Sequence, residues 1–226
     1  MNRPMAGLAC ATLALGLSLT LTGDAKAQSK KASAPAGEWV TLFDGKSMEG
    51  WEMVELGGRK GASKWELKDG ALVGTGQASM LYSPKGHYQN FRYRAEIKIN
   101  DHGNSGMYIR IPEKKATFSD GYEIQINSTH GDPIKTGSVY TMVHVYKQLV
   151  KPDTWFTQEV EAVTKNYRGK ILPHIKVSVD GELLYEYIDH SNAFAGPGYF
   201  AFQQHDPGSV VQIRKVEVME LPPTTK

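Results

Sequence analysis

Phe91-Arg-Tyr-Arg-Ala-Glu-Ile-Lys-Ile-Asn100 alternates without a break. Phe91, Tyr93, Ala95, Ile97 and Ile99 fall on one side of an extended chain, and Arg92, Arg94, Glu96, Lys98 and Asn100 on the other. Strict alternation is the signature of a strand with one buried and one wet face, the pattern of an antiparallel sheet. The same reading extends outward in both directions. Towards the N-terminus it predicts strands at Trp39–Phe43, Lys64–Lys68 and Ala71–Val73, the last two joined by Asp69-Gly70, a pair that favours tight hairpin turns. Towards the C-terminus it predicts strands at 106–111, 122–127, 138–146, 155–164, 171–179, 182–187, 198–205 and 210–221, with a second Asp-Gly hairpin at 180–181. Residues 112–119 and 130–137 read as polar loops. No stretch has helical periodicity. About a dozen short strands at turn-to-turn spacing predict an all-β fold, a single antiparallel β-sandwich of jelly-roll type over 38–222, with its last strand closing against its first.

The residues before this domain read differently. Arg3, the apolar run from Ala6 to Thr22 and the small residues of Ala25-Lys26-Ala27 have the order of a signal peptide cleaved after Ala27. The lone cysteine, Cys10, lies inside that segment, with Gly7 where a lipoprotein signal places an apolar residue. Residues 28–37 are a polar leader rich in Ala, Ser, Lys and Pro. The expectation is a thiol-free mature protein, periplasmic or secreted, with no membrane anchor once the signal is removed. A formal net charge of +2 over 226 residues gives no reason to expect nucleic acid as a partner. There is no His-x-His pair, clustered Asp/Asn loop or thiolate set, so neither metal nor other cofactor is expected.

Three strands carry polar rows over apolar backs. Alternation places Tyr108 and Arg110 opposite Met107 and Ile109, and Glu123, Gln125 and Asn127 opposite Tyr122, Ile124 and Ile126. It places Gln203 and His205 opposite Phe202. Rows of amides, Arg and a carboxylate on adjoining strands form a groove suited to sugar hydroxyls. The plainer alternatives are an exposed strand face, a cross-strand Arg110–Glu123 ion pair and a turn role for His205. His144, in the run ending at Tyr146, is placed within reach of the same groove. Laminarinase-type, glucanase-like jelly rolls carry Glu-Ile-Asp-Ile-x-Glu; Glu123-Ile-Gln-Ile-Asn127 keeps the first acid and has amides at the other two places. Two-carboxylate glycoside hydrolysis needs a nucleophile and an acid, and an amide is neither.

From Trp39 to Leu221 the chain resembles the 3-keto-disaccharide hydrolase domain family, exported bacterial sandwiches of concanavalin A-like fold. The resemblance rests on Leu42-Phe-Asp-Gly-Lys-Ser47 with Gly50-Trp51, on Trp65 with Asp69-Gly-Ala-Leu-Val73, and on Asn90-Phe91. It continues through Asn104-Ser-Gly106 with Arg110, Gly121-Tyr-Glu-Ile-Gln125, Thr136-Gly-Ser-Val-Tyr140, Trp155, Phe202-Gln-Gln-His205 and Val211-Gln-Ile-Arg214. The chain departs from the family in having Phe156 where Asn is usual, in lacking an Asp near Asn127, and along 165–174. The resemblance implies cleavage of glycosides already oxidised to a ketone at C3. The ketone acidifies the C2 proton, so one base suffices to begin the reaction. On this reading Glu123 or His205 is the base, and Arg110 and Gln125 hold the ketone oxygen. Asn104 and Gln203 grip ring hydroxyls, while Tyr108 and His144 also contact the sugar. An oxidoreductase acting earlier would supply the ketone. The competing expectation is a non-catalytic, lectin-like carbohydrate-binding module using the same rows.

Overall fold

The computed structural model describes residues 37–57 and 62–223, and their regular structure is entirely strand. The expected signal peptide and most of the polar leader lie outside the described residues. Thirteen strands follow in order: β1 Trp39–Phe43, β2 Glu52–Glu55, β3 Ser63–Lys68, β4 Ala71–Gly76, β5 Ser79–Tyr82, β6 Phe91–Ile99 and β7 Asn104–Ile111. They continue with β8 Tyr122–Asn127, β9 Phe156–Tyr167, β10 Lys170–Val179, β11 Glu182–Ile188, β12 Tyr199–Gln204 and β13 Val211–Glu220. The larger sheet runs β11-β10-β9-β6-β13-β4-β3, with β1 pairing on β13, and the smaller runs β2-β5-β12-β7-β8. Every named pairing is antiparallel, and the first strand does lie against the last.

β6 shows why the sequence folds this way. Its five apolar residues are at most 1% exposed, and they meet the inner face of the smaller sheet. There Phe200 stacks on Tyr93 with ring centroids 3.9 Å apart, and Met107, Ile109, Ile124 and Ile126 complete the same core. The outward residues pair across the register: Arg92 with Glu159, Arg94 with Glu217 and Glu96 with Arg214. The Arg94 guanidinium also lies 3.8 Å above the Trp39 ring. The amphipathic row is thus satisfied on both sides, by burial inward and by opposite charge outward.

Two short strands, β2 and β5, escape the alternation rule: β5 is buried on both faces and β2 is only four residues long. The run 138–146, expected as a strand, is instead a turn held by single bridges from Val139 to Ile124 and to Val143. The third departure is a bulge. In the β7–β12 pairing Ala201 faces Tyr108 and Tyr199 faces Ile111, leaving Phe200 opposite both Ile109 and Arg110. The extra residue is Arg110, whose φ of 57° is left-handed. Such a conformation costs a non-glycine residue about 1–2 kcal/mol. It also re-aims the side chain, and this decides what surrounds the site.

Candidate functional site

The outer face of β12, β7 and β8 forms the floor of a cleft of about 560 Å³, within the size range of small-ligand sites. Asn104, Glu123, Gln125 and Gln203 reach into it from those three strands, and His205 from just past the end of β12. The three polar rows therefore do adjoin. The walls are loops. Phe118 comes from the segment after β7, Tyr140, Thr141 and Met142 from the turn along the free edge of β8, and Ala193 and Phe194 from the segment between β11 and β12. The turn is fixed to β8 by backbone bonds from Gln125 N to Ser138 O and from Tyr140 N to Glu123 O, both 2.9 Å. Thr141 has a φ of 66°, rare for a β-branched residue, at a point where it lines the cleft.

Glu123 stands at the centre. Its carboxyl is the only one among the lining side chains, and it forms no salt bridge among the described residues. Burial in this site raises its pKa from the usual 4.5 to about 7; a hydrogen bond from Tyr108 works against that rise, and the negative charge of Asp132 adds to it. Removing a carboxylate from water without a cation favours its neutral form. Room for the group is made by Gly106, where a Cβ would lie 2.5 Å from Glu123 Oε1. The Gln125 amide, with its nitrogen turned towards Glu123, donates to Ser105 O at 2.8 Å and to Glu123 Oε1 at 3.1 Å. Tyr108 is buried beneath the floor. Its hydroxyl accepts from Gln203 Nε2 at 3.1 Å and bonds the Glu123 carboxylate. Gln203 is 2% exposed, and its Oε1 has no hydrogen-bond partner, which leaves an acceptor at the cleft.

His205 occupies the opposite end of the floor, with its ring stacked on Phe118 at 6.1 Å and the edge of His130 also 6.1 Å away. Its Nδ1 lies 2.8 Å from Asp206 Oδ2. Burial pushes the Asp206 carboxyl up, but hydrogen bonds from His205, Gly208 N and Ser209 outweigh it and hold the pKa below the ordinary value. An ionised Asp206 accepts the Nδ1 proton and leaves Nε2 as the working nitrogen of the ring. Asp206 also binds Gly208 N and Ser209 Oγ, so His205 sits at the head of the following turn as well as at the cleft.

Three expected site residues do not line the cleft: Tyr108, beneath its floor, Arg110 and His144. Alternation put Arg110 beside Tyr108, facing Glu123, but the bulge shifts the register so that Ile111 takes its place beside Tyr108. Arg110, 1% exposed, donates instead to the carbonyls of Gln89 (2.6 Å) and Phe194 (3.4 Å). The Arg110–Glu123 pair does not form. His144 is exposed and bonds Tyr146 OH at 3.0 Å, clear of the cleft. Asn127, on the same row as Glu123, is used locally. Its amide donates to the carbonyls of Asp132 and Ile134 and accepts from His130 N, shaping the 128–136 loop.

One organising residue carried no sequence signal at all. Asp189 is fully buried and accepts from Tyr122 OH (2.7 Å), Ser191 N (2.9 Å) and Ala193 N (3.1 Å). Burial raises its pKa, but those bonds and one from Ser191 Oγ outweigh it and hold the group ionised. The segment bearing Phe194 is therefore anchored at one end by Asp189 and further along by Arg110.

A family model described as the 3-keto-alpha-glucoside-1,2-lyase-like domain matches residues 38–219. The chain belongs to this family. A curated relative, a 3-keto-disaccharide hydrolase of Bacteroides thetaiotaomicron, is 25% identical over 178 residues, which are 66% of this chain and 59% of the relative. The match thus spans less than two thirds of that relative's length. Among solved structures, a Parabacteroides distasonis protein provisionally classed as a glycosyl hydrolase is 20% identical and superposes with a TM-score of 0.63 over 81% of this chain and 100% of its own. The carbohydrate-binding module CBM66 of Bacillus subtilis is 16% identical, with a TM-score of 0.55 over 76% and 96%. Both likenesses are likenesses of fold, and with the all-strand architecture they place the domain among the jelly-roll sandwiches. The family's description and the relative's name both refer to 3-keto sugars.

Proposed function

We propose that this domain cleaves 3-keto-glycosides by elimination across C1 and C2, with Glu123 as the base. The observation that carries the reading is a lone, partly desolvated carboxyl with a pKa of about 7 in the middle of a polar cleft. A general base works best when its pKa lies near the working pH. The step balances as follows. The Glu123 carboxylate takes the C2 proton, and the C2–H electron pair forms the enolate with the C3 ketone. The enolate then re-forms the ketone as a C1–C2 double bond develops and the C1–O bond breaks. The Glu123 carboxyl, now carrying that proton, passes it to the departing oxygen on the neighbouring C1, while His205, held by Asp206, stands on the ring side of the cleft. Addition of water across the double bond, oxygen to C1 and proton to C2, completes hydrolysis. The Gln125 amide, whose two N–H groups bond Ser105 O and Glu123 Oε1, holds the base in place, and Asn104 and Gln203 are placed to hold ring hydroxyls.

The family description, with its 1,2-lyase, and the relative's name support this chemistry over two-carboxylate hydrolysis. So does the presence of a single carboxyl in the cleft. The test is release of the alcohol from a 3-keto-glucoside, with C2 carrying hydrogen or deuterium. Deuterium is expected to slow turnover, and the rate to rise as pH climbs through 7 while Glu123 ionises. Saturable binding without product would leave the lectin-like reading in its place. We further propose export by the signal segment ending at Ala27, and a separate oxidoreductase as the source of the ketone.

A further inference from the structure

The two sides of the cleft differ in chemistry. On the β7 and β12 side stand Asn104, Gln203 and His205, with Phe118 stacked on the histidine; on the β8 side the wall is Met142, Ala193 and Phe194 with Thr141 and with Tyr140, whose hydroxyl is given to Asp132, and none of these wall residues is charged. C1 adjoins C2, so a leaving group lies directly beside the point where Glu123 meets the sugar. If the hydroxyl-rich ring takes the amide side, its C1 substituent falls against the apolar side.

That side is built with unusual care. Phe194 packs edge-on to Tyr122 at 5.1 Å with an interplanar angle of 84°. The Tyr122 hydroxyl is held by Asp189, Ala193 N is held by the same carboxylate, and Phe194 O is held by Arg110. A buried carboxylate and a buried guanidinium in a left-handed backbone conformation are both costly groups. Asp189 fixes one end of this short segment, and Arg110 ties Phe194 O to the Gln89 carbonyl of a neighbouring loop; the segment's only large side chain facing the cleft is Phe194. Met142 faces it from the neighbouring turn, next to the left-handed Thr141. A rigid aromatic ring beside an adaptable thioether binds flat apolar groups well, and neither offers a hydrogen bond to the hydroxyls of a second sugar.

We propose that Phe194 and Met142 form an aglycone subsite that selects a planar apolar leaving group, so that aryl 3-keto-glucosides are preferred to 3-keto-disaccharides; this rests on the elimination reading for which end of the substrate lies there. The test measures binding of phenyl and methyl 3-keto-glucosides and of a 3-keto-disaccharide to the Glu123→Gln protein by calorimetry, alongside turnover by the wild type. The phenyl compound is expected to bind at least about tenfold more tightly than the methyl compound, the scale at which an apolar pocket discriminates, and the disaccharide no more tightly than the methyl compound. Phe194→Ala should abolish the phenyl preference without changing methyl binding, and Phe194→Leu should restore part of it. Met142→Ala, which leaves the anchored segment intact, should weaken phenyl binding alone. A disaccharide that binds as tightly as the phenyl compound, a phenyl preference that survives both alanine changes, or no measurable phenyl binding would each overturn the subsite. Phenyl preference in a protein that turns over none of the three leaves the subsite standing and removes the elimination reading; turnover without phenyl preference does the reverse.

Discussion

The outer faces of the two sheets begin from the same sequence pattern and end in opposite physical states. On β6 each of Arg92, Arg94 and Glu96 meets an opposite charge across the register and stays in water. On β7, β8 and β12 the outward residues are amides, one histidine and one acid; they are roofed by loops, and the acid has no cation. Alternation alone does not separate a solvated face from a site. Charge complementarity across the register does. A row whose partners are absent has something else to do.

The sharpest way to break this contrast is to make Glu123 neutral. Glu123→Gln should lower kcat on a 3-keto-glucoside by about 10²–10⁴-fold, the usual contribution of a general base, while far-UV circular dichroism stays unchanged. A rate within threefold of wild type would end the comparison. Arg110→Met comes next, in stability. It strands the Gln89 and Phe194 carbonyls, and loss of these charge-assisted bonds should cost about 2–4 kcal/mol in a urea titration. A loss below 1 kcal/mol would show that the bulge holds without them. Gly106→Ala tests the cradle: a Cβ 2.5 Å from Glu123 Oε1 must displace the carboxyl, with an expected fall in kcat of roughly 10²-fold for a shift of order 1 Å. Wild-type binding of sugar should survive it.

The pH dependence has a definite sign. Glu123 has a folded pKa of about 7 against 4.5 when unperturbed, so the native state holds its proton more tightly than the unfolded chain. Its ionisation therefore costs stability progressively as pH rises from 4.5 to 7, and the penalty is fully present above 7. The melting temperature of wild type relative to Glu123→Gln should fall across that window, and parallel curves would contradict the desolvated carboxyl. The smallest effect belongs to the other face. Glu159→Gln removes a partly buried partner of a half-exposed Arg92 and should change stability by at most about 1 kcal/mol, less in high salt.

Much of this was readable before the fold was known. β6 announced the sandwich, and the amides at Gln125 and Asn127 argued against two-carboxylate hydrolysis on that strand because chemical type needs no coordinates. Alternation brings Glu123, Gln125, Gln203 and His205 to one cleft because a regular strand carries its pattern faithfully into space, whereas Asn104, outside the strand read from the sequence, came only from the family resemblance. Arg110 was misplaced because a bulge breaks that rule, and a bulge carried by Arg instead of Gly leaves no mark in the sequence. Asp189 and Phe194 were invisible for another reason. Their roles depend on hydrogen bonds from Tyr122 and Arg110, on strands remote in the chain, and local periodicity is blind to such pairings.

The pairing of β1 with β13 has a consequence beyond the sheet. Trp39 stands opposite Met219, and Gly37 N donates to Glu220 O at 2.9 Å, so the backbone enters and leaves the sandwich side by side. The domain is thus a cassette: another polypeptide could be spliced to either end, or interrupted by it, without stretching across the binding cleft. A circular permutant that joins residue 222 to residue 38 through a short glycine linker and opens in the exposed Asp180-Gly181 turn should keep its fold, since the new connection closes a gap the sheet has already closed.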